Sequence, residues 1–383
     1  MKLLIDGIFF QMTNTGIARV WRTLLNILAQ YSEFKLIMLD RGNTPIIQGI
    51  NYIPFPRYLF QHSAADSILI QKICDEYAVD AFISTYYTSP LTTPMLMMVY
   101  DMIPELFDFD MSLRGWMDKE STICYSQRYL CISKNTRKDL LSLYPEIPIE
   151  KTAVAHCGID KEIFYTRPQS EIESFSAKYG MNCPYFLFVG SRTQHNGYKN
   201  SLLFFKALSG LTNPQFNVLC VGGEREIEIE ILRLLPSKVK CKRVEMSDNE
   251  LAAAYGGAIA LVYPSLYEGF GMPVIEAMAC GCPVITTHNG SLAEAAGDAA
   301  HLISGFSVDE MRDAIIKIQV DDYRKTLIKR GLQHVPNFKW ENMLDTLIME
   351  FRTLLDESRS GQYDDFFVEW SRLRKIQASV DLA

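Results

Sequence analysis

Short apolar runs of strand length alternate with helical segments along most of the chain, and this alternation limits the possible folds more than any other feature. A series of βα units lays its strands side by side in one direction, so we predict an α/β protein with mostly parallel sheets. The expected strands are residues 2–5, 34–39, 81–84, 96–100, 129–132 and 152–155 in a first series, and 185–189, 217–221, 239–244, 258–263 and 283–286 in a second. The expected helices include 17–30, 200–208, 248–255, 273–279, 340–355 and 366–376.

The length of 383 residues exceeds one comfortable hydrophobic core, so two domains are expected. The βα pattern loosens after residue 158 into a polar segment that runs to Pro184. We predict a first α/β domain at residues 1–165, a second at 166–345, and C-terminal helices over 346–383. Ligands in such sheets bind at the carboxyl ends of the strands, so a cleft between two facing domains is the expected site.

Charge and cysteine usage exclude several classes of protein. The formal charge of −7 argues against a dedicated nucleic-acid binder, because phosphate backbones reward clustered Lys and Arg. The nine cysteines lie mostly in apolar stretches without a Cys-x2-Cys pair, so neither structural zinc nor a disulfide framework is expected. The amino terminus reaches Asp6 too early for a signal-peptide core, and no run approaches membrane-spanning length. We therefore expect a cytoplasmic protein, while peripheral association with a membrane surface stays open.

Two glutamates, Glu268 and Glu276, lie on either side of a glycine-rich turn between an expected strand and an expected helix. Gly269 and Gly271 permit positive φ, and the helix start presents unpaired N–H groups under a partial positive charge. We predict that the turn, with Phe270, holds a phosphate. The two carboxylates would accept hydrogen bonds from hydroxyls at two places on one ligand, a sugar and a ribose. The alternative is a structural turn, because the helix dipole favours a glutamate there without any ligand.

The run from Glu268 through the following Pro283-Val-Ile strand resembles the Glu-x7-Glu signature of retaining glycosyltransferases of the GT4 type, whose fold class is GT-B. The resemblance implies two Rossmann-like domains facing across a cleft, with the acceptor bound by the first and the nucleotide sugar by the second. It also implies that the last helix crosses back to the first domain.

The activity implied by the resemblance is transfer of a sugar, with retention, from a nucleoside-diphosphate sugar to a hydroxyl of a glycan, a glycolipid or another acceptor. The resemblance implies that no further cofactor is required and that the reaction proceeds without an essential metal. Mannosyl transfer from a GDP-mannose-type donor in surface polysaccharide biosynthesis is the family-level expectation. The oligomeric state is not indicated.

Two cations follow the first strand of the second series. Gly190 ends that strand, and Arg192 and Lys199 come before the next helix. Arginine can clamp a diphosphate bidentately and lysine supplies a point charge, although a solvated loop with exposed cations explains the local sequence equally well. The resemblance implies that both neutralise the departing nucleoside diphosphate, although the loop between them is longer than usual. Gly222, after the next strand, is expected to line the nucleotide pocket.

The first domain offers three candidate residues. Gly16 resembles the family's glycine loop that approaches the leaving phosphate, whereas the alternative is a simple helix entry capped by Thr15. The segment with Tyr100 and Asp101 resembles the family's His-Asp-Leu-Ile-Pro run, with Tyr100 in place of the histidine. Tyr100 is either a donor-site residue or a core aromatic whose hydroxyl is satisfied. Asp101 is the candidate for polar interactions with a ligand in the cleft.

Three other functions are alternatives to glycosyl transfer. A nucleotide-sugar epimerase of the same fold would consume no acceptor, and a non-catalytic nucleotide-sugar-binding scaffold subunit would carry a degenerate site. Tyr100 alone supports the scaffold. A dinucleotide oxidoreductase is disfavoured, because no Gly-x-Gly-x-x-Gly follows the first strand.

Overall fold

The computed structural model describes residues 1–12, 16–59, 64–192 and 197–381. The chain divides into two compact units. Unit 1 comprises Met1–Glu105, Phe109–Cys157 and Trp340–Ala383, and unit 2 comprises Leu106–Asp108 and Gly158–Lys339. Strands pair in parallel in both units, with helices between them, so the predicted α/β class is confirmed. No helix in the described ranges is long and apolar enough to cross a membrane.

Unit 1 is built around parallel strands whose order is β3-β2-β1-β4 in one sheet and β5-β6-β7 in another. A parallel bridge between Phe82 and Met95 connects the two sheets. The strands are β1 (Lys2–Asp6), β2 (Lys35–Asp40), β3 (Ile50–Pro54), β4 (Ala81–Ser84), β5 (Leu96–Val99), β6 (Arg128–Cys131) and β7 (Thr152–Val154). The helices between them are α1 (Ile8–Met12), α2 (Gly16–Leu28), α3 (Ala64–Tyr77), α4 (Ile103–Leu106), α5 (Arg114–Tyr125) and α6 (Lys134–Leu143).

The local sequence explains these elements. β1 is a continuous apolar run whose Leu3, Leu4 and Ile5 are fully buried, as expected for a strand covered on both faces. Ser133 starts α6, where its side chain accepts a hydrogen bond from the N–H of Thr136. This side-chain cap satisfies one of the unpaired N–H groups of the first helical turn.

Unit 2 contains a single six-stranded parallel sheet in the order β10-β9-β8-β11-β12-β13. Its strands are β8 (Tyr185–Val189), β9 (Asn217–Val221), β10 (Cys241–Val244), β11 (Leu261–Tyr263), β12 (Val284–Thr287) and β13 (His301–Ile303). Its helices are α7 (Gln169–Tyr179), α8 (Ser201–Ser209), α9 (Ile229–Leu234), α10 (Asp248–Gly257), α11 (Met272–Ala279), α12 (Leu292–Ala296), α13 (Val308–Lys317) and α14 (Asp321–His334). This is the doubly wound order of a Rossmann fold, which reverses between β8 and β11.

Two strands of unit 2 are shorter than the apolar runs suggested. β10 begins at Cys241 and β11 at Leu261. The residues ahead of them are occupied by turns, since the N–H of Val239 donates to Pro236 O at 2.9 Å and that of Ala258 to Tyr255 O at 3.1 Å. Apolar residues that close a buried turn cannot be told from strand residues in the sequence, because residues of both kinds are apolar and buried.

The C-terminal helices are α15 (Trp340–Arg359) and α16 (Asp364–Asp381), and both belong to unit 1. A buried ion pair holds α15 to β6, with 2.6 Å between Arg128 Nε and Glu350 Oε2. Arg128 also pairs with Glu357 at 2.9 Å, and in α16 Arg374 donates to Ser67 Oγ of α3 at 3.2 Å. The two helices thus complete the core of unit 1.

Candidate active site

The segments that follow β8 and β11 are held together at the point where the strand order of unit 2 reverses. The N–H of Leu266 donates to Tyr198 O at 2.7 Å, and the side-chain amide of Asn200 donates to Pro264 O at 3.1 Å. In open α/β sheets this edge is where ligands bind. The chain therefore fixes residues 197–200 against the loop that leads to Glu268.

Lys199 and Glu268 form an ion pair at this edge. The distance from Lys199 Nζ to Glu268 Oε1 is 2.7 Å, and the side chains are 19% and 11% exposed. Burial opposes the charge on Lys199, but the neighbouring Glu268 outweighs burial and raises the lysine pKa. Lys199 is therefore a fixed positive charge near neutral pH. The sequence indicated both residues separately, and the fold brings them together.

Two tyrosines that the sequence did not single out accompany the glutamates. The hydroxyl of Tyr263, the last residue of β11, lies 3.2 Å from Lys199 Nζ. The hydroxyl of Tyr255 in α10 donates to Glu276 Oε2 at 3.3 Å. The position of Tyr263 at the carboxyl end of a strand beside the glutamate motif was a usable signal. Tyr255 lies in a different helix, and no local pattern links it to Glu276.

The glycine-rich turn ends in a helix start that requires glycine. Gly271 precedes α11 with a φ of 100°, which confirms the expected positive φ at this position. A Cβ there would lie 2.8 Å from Leu292 Cδ2, so any side chain at this position would require the Leu292 side chain to move. Ser291 Oγ donates to Glu268 O at 2.6 Å and steadies the other end of the turn, beside Gly269. Glu276 is only 2% exposed within α11.

Phe270 has a packing role in this structure. It is buried, and its ring meets that of Phe338 edge-on at 5.6 Å between centroids. The aromatic ring therefore anchors the turn to the core of unit 2. Its predicted part in donor binding has no support from this placement.

Arg192 differs most from its prediction. Its side chain is fully buried, and the guanidinium donates to Gly222 O at 3.0 Å, to Glu224 O at 2.7 Å and to Glu226 O at 3.0 Å. Its Nε also lies 3.2 Å from Glu228 Oε2. A guanidinium carries five N–H donors and can bind several carbonyls of one loop at once, which explains why arginine suits this position. The structure uses Arg192 to organise residues 222–228, and the geometry gives no support to a diphosphate clamp.

Glycines allow the loops after β8 and β9 to pass close to each other. Gly190 and Gly222 have φ values of 114° and 71°, which favour glycine. The closest approach is at Gly223, where a Cβ would lie 2.4 Å from Gly190 O. Glu224 then accepts from the N–H of Arg192 at 2.6 Å and from Ser191 Oγ. Burial opposes ionisation of Glu224, but these hydrogen bonds lower its pKa to about 2.

Tyr100 in unit 1 has the environment of a core aromatic. Only 4% of it is exposed, its hydroxyl accepts from Trp21 Nε1, and it donates to Thr85 O at 3.0 Å. Burial raises the pKa of the phenol, which keeps it protonated. Of the two interpretations of Tyr100, the structure supports the core residue with a satisfied hydroxyl, and the expected donor contact has no support.

Asp101 and Gly16 keep their predicted roles as hypotheses. Asp101 is half-buried, and its Oδ1 accepts from the N–H of Ile103 at 3.0 Å, which starts α4. Gly16 is the exposed first residue of α2, and outside its own helix and chain neighbours no atom of the described residues lies within 4 Å of a Cβ placed on it. The expected cap Thr15 lies outside the described residues, as do 193–196 between Arg192 and Lys199.

In the ranges that the structure describes, no group of three or more His, Cys, Asp and Glu side chains is placed to hold a metal ion. The cysteines are free thiols.

Solved structures define the fold class. Sucrose-phosphate synthase from Thermosynechococcus elongatus superposes with a TM-score of 0.72 at 20% identity, covering 93% of this chain and 99% of that one. Anabaena HepE in complex with UDP and glucose gives a TM-score of 0.71 at 16% identity, covering 92% and 100%. The fold is that of the GT-B glycosyltransferases, as expected from the sequence.

Sequence comparisons match part of the chain to known glycosyltransferases. Residues 169–334, which include Lys199, Glu268 and Glu276, match the family model of the glycosyl transferases group 1. O-antigen chain mannosyltransferase B of Escherichia coli is 29% identical over 244 residues, which are 59% of this chain and 60% of that relative. The matched residues are less than half of the chain, and over this range the resemblance seen in the glutamate motif is confirmed.

Proposed function

We propose that the chain is a retaining hexosyltransferase that moves a sugar from a nucleoside-diphosphate sugar to a hydroxyl of a glycan or glycolipid. The observation that carries this proposal is the Lys199–Glu268 ion pair at the strand-order reversal of unit 2. A cation for a phosphate and a carboxylate for sugar hydroxyls lie side by side there. Both belong to the region that matches the group 1 family.

Lys199 would stabilise the departing diphosphate. Within the described residues, two of its three N–H donors are used, by Glu268 at 2.7 Å and by Tyr263 at 3.2 Å. The third donor suits a phosphate oxygen. The start of α11 after Gly271 adds backbone N–H groups under the positive end of the helix dipole. These groups are oriented before the reaction, so their stabilisation of the growing negative charge requires little reorganisation.

The two glutamates would bind the rest of the donor. Glu268 would accept hydrogen bonds from the transferred sugar and Glu276 from the ribose, which fixes the sugar for attack. The bond between the anomeric carbon and the phosphate oxygen breaks as the acceptor oxygen bonds to that carbon. The acceptor proton passes to the departing phosphate. With attack from the leaving-group face the configuration is retained, and no protein nucleophile is needed.

The choice of sugar and acceptor rests on the relatives. The E. coli relative is named an O-antigen chain mannosyltransferase, and the Anabaena neighbour holds UDP and glucose. We propose mannose as the transferred sugar and a surface-polysaccharide glycan or its lipid-linked form as the acceptor. A cytoplasmic location with peripheral membrane association belongs to the same proposal, and cell fractionation tests it.

A donor panel tests the proposed function. The purified protein is incubated with UDP-, GDP- and ADP-sugars, GDP-mannose among them, with and without lipid-linked glycan acceptors. Mass spectrometry detects the product and NMR its anomeric configuration. We expect transfer with retention. Epimerised donor formed without acceptor would identify an epimerase, and a failure to bind any donor would favour a scaffold subunit.

The same assay tests the ion pair. We expect Lys199→Ala and Glu268→Ala each to lower turnover by more than about 100-fold, because each removes a group oriented toward the donor. Lys325→Ala, an exposed lysine of unit 2 with a side chain 71% exposed, is the control and should keep full turnover. Turnover within about tenfold of wild type in both site variants, equivalent to roughly 1.4 kcal/mol, would contradict the assigned roles.

A further inference from the structure

The hydroxyl of Tyr263 lies next to both charged groups of the candidate site. It is 3.2 Å from Lys199 Nζ, and the ammonium also lies 5.3 Å from the centroid of the Tyr263 ring. Tyr263 is 4% exposed. With the 2.7 Å ion pair between Lys199 and Glu268, the phenol closes a compact group of three side chains. We refer to Lys199, Tyr263 and Glu268 as the polar triad.

The direction of each hydrogen bond in the polar triad follows from chemistry. An ammonium only donates, so the Tyr263 oxygen accepts from Lys199. Burial and then the Glu268 charge raise the pKa of Tyr263, so the phenol keeps its proton, and the neighbouring Glu268 carboxylate can accept a hydrogen bond from it. Each member therefore restricts the orientation of the other two.

The hydroxyl is not needed to hold its own strand. The backbone of Tyr263 pairs with Thr286 of β12, and Thr286 Oγ1 donates to Tyr263 O at 2.7 Å. The ring packs in the core whether or not it carries an oxygen. Loss of the hydroxyl alone would leave β11 in place and remove one of the two hydrogen bonds that hold the Lys199 ammonium.

We propose that Tyr263 is a positioning residue for sugar transfer, whose hydroxyl holds Lys199 and Glu268 in the arrangement that receives the diphosphate and the sugar of the donor. This inference rests on the proposed function. It assigns to Tyr263 no contact with the donor. Its effect passes entirely through the lysine and the glutamate.

Tyr263→Phe tests the proposal with the full-length protein and the donor found active in the panel. We expect kcat to fall about tenfold and the donor KM to change less than about twofold. The split is expected because the negative charge on the departing phosphate is larger in the transition state than in the bound donor, so misplacement of Lys199 acts mainly on kcat.

Tyr185→Phe is the matched control. Tyr185 is also a buried tyrosine of unit 2, and its hydroxyl donates to Ala254 O at 2.7 Å. It begins β8, at the opposite end of the strands from Lys199. Any general cost of removing a buried hydroxyl appears in both variants, whereas a change in kcat alone is expected only for Tyr263→Phe.

A second measurement follows Lys199 without any donor. The rate at which acetic anhydride labels Lys199 is read by mass spectrometry in the wild type and both variants. We expect labelling several-fold faster in Tyr263→Phe and unchanged in Tyr185→Phe, because the amine loses one of its two hydrogen-bond partners and its position is less restricted.

The outcomes separate the two proposals. Wild-type transfer with an unchanged kcat in Tyr263→Phe would overturn the positioning role and leave the proposed function intact, whatever the labelling rate. An equal fall in kcat in Tyr185→Phe would also overturn it. If the wild type transfers no sugar, the proposed function fails, and the positioning role fails with it. The labelling rate then reports only whether the polar triad exists.

Discussion

Arg192 and Lys199 follow the same strand, yet their surroundings give them different tasks. The guanidinium is fully buried among the carbonyls of residues 222–228, whereas the ammonium of Lys199 is partly exposed beside Glu268. Both appear as loop cations in the sequence. The difference follows from how far each side chain is removed from water, which governs whether its charge can meet a ligand.

Arg192→Ala is expected to destabilise the protein. The change leaves three loop carbonyls and the Glu228 carboxylate without a buried donor, which costs about 3–5 kcal/mol of unfolding free energy. Denaturant unfolding measures this loss. The exposed control Lys325→Ala should stay within about 0.5 kcal/mol of wild type. If Arg192→Ala unfolded like the wild type and lost donor binding alone, the earlier expectation of a diphosphate clamp would be right after all.

Two glycines that the sequence placed in the same donor site should respond differently to alanine. At Gly271 the φ of 100° and the Leu292 side chain at 2.8 Å both oppose a methyl group, so Gly271→Ala should cost about 1–3 kcal/mol of stability. The methyl group of Gly16→Ala meets no atom of the described residues outside its own helix and neighbours within 4 Å, so this change should leave stability unchanged. Thermal unfolding measures both. A loss of transfer in the stable Gly16→Ala variant would then support its predicted approach to the donor phosphate, and equal melting temperatures for the two variants would contradict the geometry.

Among the elements, the loop between β9 and α9 makes several different interactions with the segment that follows β8. Its carbonyls bind Arg192, its Gly223 allows the close approach of the loop after β8, and its Glu224 accepts from that loop in return. The loop carries three glutamates, of which Glu226 is exposed while Glu224 and Glu228 are partly buried. Its backbone carbonyls, at residues 222, 224 and 226, surround the buried guanidinium.

Glu224 makes the stability of this loop depend on pH. Its folded pKa of about 2 lies below the ordinary value of 4.5, so the folded state keeps the carboxylate ionised where the unfolded chain takes up a proton. The contribution is complete above about pH 4.5 and is lost as the pH falls toward 2. We expect the unfolding free energy of the wild type to fall more steeply over this range than that of Glu224→Gln.

Unfolding in urea at a series of pH values measures this difference. Glu230→Gln, which removes the same charge from an exposed position in α9, is the control and should follow the wild type. Parallel curves for the wild type and Glu224→Gln between pH 4.5 and 2 would contradict the role given to these hydrogen bonds.

At the scale of the whole molecule, the chain leaves unit 1, forms unit 2 from Gly158–Lys339, and returns to unit 1 with Trp340–Ala383. Helix α15 buries Leu344, Leu347, Phe351 and Leu354 there, and Glu350 neutralises the buried Arg128. Unit 2 is therefore almost continuous in sequence, whereas unit 1 depends on a segment nearly two hundred residues away.

Fragments of the chain should differ accordingly. Residues 158–339 are expected to fold alone and to gain thermal stability on binding a nucleoside diphosphate, because they contain Lys199, Glu268 and Glu276. Residues 1–157 should not fold without 340–383, since the missing helices expose core and leave Arg128 unpaired. Circular dichroism and thermal melts with UDP and GDP measure both. A cooperative melt of the 1–157 fragment alone would contradict this dependence.

Much of this protein was determined by the sequence alone. Alternating apolar runs predicted the parallel α/β architecture, and the spacing of Glu268 and Glu276 around glycines indicated the resemblance to retaining glycosyltransferases, because periodicity and turn chemistry are local properties of the chain. Tertiary structure decided the rest. The burial of Arg192 and Tyr100, the meeting of Lys199 with Glu268 and Tyr263, and the return of α15 to unit 1 depend on which distant segments pack together. The strength of a charge interaction or a hydrogen bond depends on the groups that surround it, and in the folded protein those groups come from residues far apart in sequence.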